Sequence, residues 1–218
     1  MLSVLDADRI RRQRLVGELA SRGIVDRAVL DAIGAIPRER FVEEALRGKA
    51  YSDTALPIGD KQTISQPWVV ARMCELAEPD PAARVLEIGT GSGYHAAVLS
   101  KLFGKVFTVE RLRALSQRAR KLLREIGIEN VHLKIFDGTY GWSEFAPYDA
   151  ILVTAGAPEV PEPLVEQLAP GGRLVVPVGP EERVQTLVRI IDRSGRKVRE
   201  DHGLVRFVPL VGKFGWRE

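Results

Sequence analysis

The stretch "VLEIGTGSGY", residues 85–94, constrains the fold more than any other part of the chain. Val85, Leu86 and Ile88 form a short apolar run that suits a strand buried on both faces. Gly89, Gly91 and Gly93 follow at alternate positions, and a helical pattern opens at Tyr94. A strand that turns through glycines into a helix is the first unit of an open α/β sheet. In such sheets ligands settle beyond the carboxyl ends of the strands, where the strand order reverses. Glycine serves there because a Cβ would hold a ligand off the backbone, and because such turns visit positive φ.

The remainder of the chain fits that unit. "RVLEI", "KVFTVE", "VHLKIF", "YDAILVTA" and "GRLVVPVG" read as strands, with helical patterns at Tyr94–Leu102, Leu112–Ile126 and "PEPLVEQLAP" between them. Alternating β and α with continuous apolar strands predicts a doubly wound α/β fold around a mostly parallel sheet. "QTLVRIIDR" and "VREDHGLVRFVPL", joined through "SGR" at residues 194–196, predict antiparallel strands near the C-terminus. Residues 6–47 predict an N-terminal helical segment of three helices, punctuated by Gly23 and Pro37. Residues 50–67, "AYSDTALPIGDKQTISQP", are too rich in Gly, Pro, Ser, Asp and Thr for a regular element, and a loop of that length is often functional. Pro67 suits the first position of the next helix, with Ser65 or Gln66 near its cap.

Composition excludes several classes. The 218 residues allow one sizeable core. The 32 basic and 29 acidic residues nearly cancel, so the basic pI of about 9.1 says little about a polyanionic partner. Arg9, Arg11, Arg12 and Arg14 crowd "RIRRQR", which reads as a solvated helix face, with a nucleic-acid arm as the alternative. The single cysteine, Cys74, excludes an internal disulfide framework and a zinc site of several thiolates, and its helical context reads as buried filler. Early charge and the lack of a long apolar run predict a cytoplasmic protein with no membrane partner.

Spacing narrows the ligand. A dinucleotide fingerprint needs a third glycine where Tyr94 stands, and no Gly-Lys-Ser/Thr follows to make a phosphate loop. Glu87, just before the turn, would sit poorly beside a pyrophosphate and suits a cofactor bearing positive charge. Glu110 ends the next strand, where a carboxylate can accept from the two ribose hydroxyls. Asp137 ends the strand after that, placed to accept from an adenine amine, and Gly138 lets the backbone come close. Each carboxylate alone also reads as a cap or a loop residue. Three acids at successive strand ends are harder to dismiss.

At this point "LEIGTGSGY", with its flanking acids, resembles the S-adenosylmethionine-dependent methyltransferases, whose Rossmann-like sheet is the fold expected here. "QTISQPWVVARM" and "YDAILVTAGAPEVPEPLVEQLAPGGRLVVPVG" resemble the protein-L-isoaspartate O-methyltransferases more particularly, and the likeness spans roughly residues 10–211. It implies transfer of the methyl group of S-adenosyl-L-methionine to the free α-carboxylate of L-isoaspartyl residues in damaged proteins, leaving S-adenosyl-L-homocysteine, with no metal. It implies a single domain: N-terminal helices at residues 1–50, an active-site loop at 51–66 and a cofactor-binding core at 67–218. Thr63 and Ile64 would belong to the loop over the methyl donor, and Ser65 would be the active-site residue. Gly89, Gly91 and Gly93 would line the methionine end of the cofactor, Glu110 its ribose, and Asp137 with Gly138 its adenine. The chain departs from the family pattern at Phe136, before the Asp137-Gly138 pair, and at Gly156 in "TAGAP".

The chemistry suits the inventory of side chains. A sulfonium methyl is already activated and a carboxylate is already an anion, so alignment and exclusion of water suffice without a general base. Ser65 reads as a positioner and donor, with capping of the helix at Pro67 as a compatible role. His95, His132 and His202 lack partners nearby in sequence and read as structural. Trp68 and Trp142 read as core or pocket-wall aromatics. The expected partners are isoaspartyl proteins and peptides, with no nucleic acid, acted on by a monomer. The competing readings are a methyltransferase acting on RNA or a small molecule, a sensor of the same cofactor, and a nucleotide oxidoreductase.

Overall fold

In the computed structural model, which describes residues 4–180, 184–193 and 195–217, two helices come first, α1 (Val4–Ser21) and α2 (Arg27–Ala35). Asp26 caps α2 by accepting from the Ala28 and Val29 amides. The third helix expected before residue 47 is instead a pair of 3-10 turns, Arg38–Phe41 and Glu44–Lys49. Pro37 precedes the first of them, and only isolated apolar side chains such as Phe41 are available to bury.

The segment read as an irregular loop contains a small antiparallel hairpin, β1 (Leu56–Gly59) and β2 (Gln62–Ile64). Its tip is Asp60-Lys61, both at positive φ, the backbone that a two-residue hairpin turn requires. Arg118 holds this tip, donating to the Ile58 carbonyl at 3.2 Å and to Asp60 at 3.0 Å. α3 (Pro67–Leu76) opens at Pro67 as expected. Gln66 occupies the N-cap position, as expected, without a capping bond from its own side chain. Asp53 reaches across from the preceding loop and accepts from the Trp68 amide at 2.8 Å and from the Gln66 side chain at 2.9 Å.

The core follows as β3 (Arg84–Ile88), α4 (Tyr94–Leu99), β4 (Lys105–Glu110), α5 (Arg113–Glu125), β5 (Val131–Ile135), β6 (Tyr148–Val153), α6 (Glu162–Val165), β7 (Leu168–Val178), β8 (Gln185–Arg193) and β9 (Arg196–Val205). These strands form one sheet in the order β5-β4-β3-β6-β7-β8-β9. β3 to β7 pair in parallel, and β8 and β9 add antiparallel, so the expected mostly parallel sheet with antiparallel C-terminal strands is what forms. Ser194, in the turn expected between the last two strands, lies outside the described residues.

Alternation along each strand sorts side chains between two cores. Val85, Val106, Ala150, Leu152 and Val175 face α1 to α5. Leu86, Phe107, Ile151, Leu174 and Val188 face α6 and the aromatics Trp142 and Phe145. Cys74 is fully buried in the first of these. No helix among the described residues is long and apolar enough to cross a membrane.

The chain runs outward from β3 through β4 to β5 and then jumps back to β6 on the other side of β3. The order therefore reverses between β3 and β6, and a crevice opens beyond Ile88 and Val153. Gly93, the last of the three glycines, is one reason the crevice keeps its shape. It sits at φ +87, and a Cβ there would lie 3.1 Å from the Cβ of Ala119 on α5. Gly93→Ala should therefore cost about 2 kcal/mol, combining left-handed strain with overpacking. Urea unfolding of the parent and variant checks this, and equal midpoints would contradict it.

Candidate functional site

A cleft lies at the reversal point. Its floor is Ile88, Gly89, Thr90, Gly91 and Ser92; Val109 and Glu110 form one side, Thr154 and Ala155 the other. Thr63, Ile64 and Ser65 of the hairpin strand β2 and its exit close over it, and Val208 to Val211 line the far wall. The predicted loop residues and the predicted glycine turn therefore meet around one space, although they are far apart in sequence.

Each part of this arrangement has a local cause. Gly89 sits at φ +98, where a Cβ would collide with the Thr154 hydroxyl. That hydroxyl donates toward the Gly89 carbonyl at 2.7 Å, tying the turn to the end of β6. Gly91, at φ +54, leaves its backbone bare on the cleft floor. Glu110 ends β4 and is only 7% exposed; its two oxygens accept from the Gly91 and Leu112 amides, each at 2.9 Å. A carboxylate has about four acceptor positions, so two remain for hydroxyl donors in the cleft. Gly138 lines the cleft with its backbone close against β3, and a Cβ there would lie 2.5 Å from the Ile88 side chain.

Three of the predicted residues stand elsewhere. Gly93 is below the floor, and its role is the helix packing described above. Asp137 does not line the cleft, and three donors of the protein meet its carboxylate. Oδ1 accepts from the Thr139 amide at 2.9 Å and hydroxyl at 2.7 Å, and Oδ2 accepts from the Lys213 amide at 2.9 Å. Asp137 therefore fixes the C-terminal segment over the site, and its Oδ2 keeps one acceptor position. Glu87 is wholly buried beneath the floor and does not line the cleft, which corrects the expectation of direct contact.

Glu87 instead belongs to a buried polar cluster. Thr108 donates to its Oε2 at 2.5 Å, and the Thr90 and Thr108 hydroxyls lie 2.6 Å apart. His95 Nδ1 is 3.7 Å from Glu87 Oε1, and neither atom has a hydrogen-bond partner among the described residues. The other ring nitrogen of His95 is 3.4 Å from Cys74 Sγ. Burial pushes the Glu87 carboxyl up to about 8, with the Thr108 hydrogen bond opposing and the Glu110 charge adding. Burial also pulls His95 down to about 4. Burial therefore favours the uncharged form of both groups. His95, read from the sequence as structural, in fact joins the cleft lining and this cluster.

The sequence reading missed the residue that organises the roof. Arg38 is completely buried; its Nε donates to the Ala50 carbonyl and its Nη2 to the Ser65 carbonyl, both at 2.8 Å. Its guanidinium lies 4.7 Å from the centre of the Tyr94 ring. Burial lowers its pKa from the usual value, with Tyr94 opposing. One cation thus holds both ends of the 50–65 segment against the start of α4. The Ser65 hydroxyl itself makes no hydrogen bond among the described residues and lines the cleft, so it is available to a ligand. Nothing in "PRERF" separates Arg38 from Arg40, which pairs with Glu125 at the surface.

Two outcomes follow from this geometry. Glu110→Ala should weaken S-adenosyl-L-homocysteine binding by roughly tenfold to a hundredfold, and an unchanged Kd in calorimetry would remove Glu110 from the ligand. The second concerns pH. As pH rises, Glu87 ionises in the unfolded chain near the ordinary 4.5 but in the folded chain only near 8, so folded stability falls across that window. His95 works the other way between about 4 and 6.5, where the unfolded chain holds the extra proton. The two effects cancel between about 4.5 and 6.5, and the loss from Glu87 remains above that window. Glu87→Gln should flatten a decline of about 2 kcal/mol between pH 6.5 and 8. Parallel pH profiles for parent and variant would contradict the assignment.

Comparison with known proteins agrees with the geometry. Residues 10–215 match the model of the family described as protein-L-isoaspartate(D-aspartate) O-methyltransferase. A protein-L-isoaspartate O-methyltransferase of Geobacter metallireducens is 56% identical over 209 residues, covering 95% of this chain and 96% of its own. The enzyme called protein-L-isoaspartate O-methyltransferase 2 in Geotalea uraniireducens is 53% identical over 98% of both chains. A solved protein-L-isoaspartate O-methyltransferase superposes with a TM-score of 0.86 at 36% identity, covering 94% of this chain and 67% of that one. A putative member of the same family from Plasmodium falciparum, solved with S-adenosyl-L-homocysteine, superposes with a TM-score of 0.77 at 26% identity, covering 90% of this chain and 96% of that one.

Proposed function

We propose, since the chain belongs to the protein-L-isoaspartate(D-aspartate) O-methyltransferase family, that it moves a methyl group from S-adenosyl-L-methionine to the free α-carboxylate of L-isoaspartyl residues in damaged proteins and peptides. The observation that carries this reading is the meeting of the Thr63–Ser65 stretch with the glycine turn and Glu110 around one cleft. The residues present fit the cofactor. Bare backbone at Gly89 and Gly91 admits a ligand to the floor, and Glu110 keeps acceptor positions for a vicinal diol.

When bound, S-adenosyl-L-methionine supplies a methyl group on a positively charged sulfur, activated for attack by an oxygen anion. The protein has then to place a carboxylate in line with that methyl and keep water out. Ser65 is suited to the first task. Its hydroxyl is uncommitted, its carbonyl is fixed by Arg38, and it faces the cleft from the roof. As a neutral donor it orients the carboxylate without the deep ground-state stabilisation that a fixed cation would bring. Thr63 and Ile64 complete the roof, the latter with its side chain in the core. Glu87 with His95 lies under the floor, where a carboxyl able to release its proton answers a cation placed above it. The working picture is of a cytoplasmic monomer, one domain in which residues 1–50 and 51–66 serve the core.

The deciding assay offers radiolabelled S-adenosyl-L-methionine with two peptides that differ only in an isoaspartyl or a normal aspartyl linkage. Base-labile label on the isoaspartyl peptide alone is expected; label on neither, or on RNA, would contradict the reading. Ser65→Ala should lower kcat by about tenfold or more, the worth of a hydrogen bond to a charged group, with cofactor Kd little changed. Parental turnover in that variant would end the positioning role.

A further inference from the structure

A second groove opens beside the cleft and shares Thr63, Ser65, Val208 and Pro209 with it. Ala55, Val69 and Phe207 give it an apolar lining, and Lys61 and Arg206 supply cationic side chains. Neither cation lines the cofactor cleft. The two reach this position for different structural reasons. Lys61 occupies the left-handed tip of the β1–β2 hairpin, and the neighbouring Asp60 is drawn to Arg118 rather than to Lys61. Arg206 lies between buried Val205 and buried Phe207, so extended backbone turns its side chain outward. Gln185 holds that backbone by accepting from the Phe207 amide at 2.9 Å.

Among the described residues, neither Lys61 nor Arg206 makes an ion pair or a side-chain hydrogen bond. Arg118 is held by Asp60 at 3.0 Å and Arg22 is paired with Asp53. Two uncommitted cations over an apolar trough, continuous with a site that takes a carboxylate on a polypeptide, define a receptor for more polypeptide. The geometry points to this groove as the seat of the chain flanking the reacting isoaspartyl residue, with Lys61 and Arg206 selecting substrates that carry an acidic side chain beside it. The inference rests on the isoaspartyl-methyltransferase reading and adds to it a preference that the family assignment does not specify. Because both cations stand outside the cleft, they attract the flanking charge without stabilising the reacting carboxylate itself. Exposed pairs of this kind are modest in strength and sensitive to salt.

The test uses the full chain and three isoaspartyl peptides identical except for Glu, Gln or Lys on both sides of the isoaspartyl residue. At low salt kcat/KM should fall from Glu to Gln to Lys, by about threefold to tenfold from first to last, mostly through KM. The spread should shrink toward unity near 0.5 M salt, where charges are screened within about 4 Å. This salt series needs no variant. Arg206→Glu and Lys61→Glu should each reduce the preference, and together reverse it, with cofactor calorimetry reporting that each protein is folded; Arg206→Gln and Lys61→Gln serve where a charge reversal fails to fold. Equal kcat/KM for the three peptides, a preference for Lys, or a Glu preference untouched by the substitutions would overturn the inference while leaving methylation of the Gln peptide intact. Failure to label any of the isoaspartyl peptides would instead remove the enzymatic reading on which the inference stands.

Discussion

The carboxylate of Glu110 is the constraint on which the rest of the site depends. One oxygen holds the amide of Gly91 and the other the amide of Leu112, so a single side chain at the end of β4 fixes both the glycine turn and the approach to α5. Charge-assisted hydrogen bonds of this type are shorter and about twice as strong as neutral ones. The Gly89 amide is served by the Val109 carbonyl and the Gly93 amide by the Thr90 carbonyl, whereas the Gly91 amide between them is met by the Glu110 side chain. The same carboxylate keeps acceptor positions open toward the cleft. One group therefore both holds the floor together and faces the cleft.

Buried charge is handled differently above and below that floor. Below it, Glu87 and His95 face each other and burial favours the uncharged form of each, which avoids an uncompensated ion in the core. Above it, Arg38 keeps its charge while fully enclosed, because carbonyl oxygens of Ala50 and Ser65 and the face of Tyr94 surround the guanidinium. The two solutions suit their tasks. A neutral cluster can respond to a positive ligand, whereas a fixed cation bonded to carbonyls gives the segment that carries Ser65 one position.

Much of the fold was legible because it rests on short-range patterns. Continuous apolar runs ending in Glu110 and Val153 announce buried parallel strands, and the glycines at 89 and 91 mark the place where backbone must stay bare. What escaped depends on contacts between distant residues. The cap of α3 comes from Asp53, fourteen residues before the helix, so no local spacing rule finds it. Arg38 looks like any surface arginine until its carbonyl partners at 50 and 65 are folded around it. Asp137 stands at the strand end as expected, but no local pattern shows that the returning C-terminal segment brings the Lys213 amide to its Oδ2. The hairpin at 56–64 was hidden because Pro, Gly and Asp signal a turn equally well in a loop and at a hairpin tip. Gly93 shows that a glycine in a ligand-binding pattern can also be required by helix packing.

The central claim is that one nucleoside site is formed jointly by the glycine turn, Glu110 and the Thr63–Ser65 roof. Hydrogen–deuterium exchange with and without S-adenosyl-L-homocysteine tests it most directly, since it reports both walls in one experiment. The account predicts slowed exchange at amides 89–92 and 110–112 together with 62–66, and little change on β9. Protection confined to other parts of the chain, or none at saturating ligand, would contradict it.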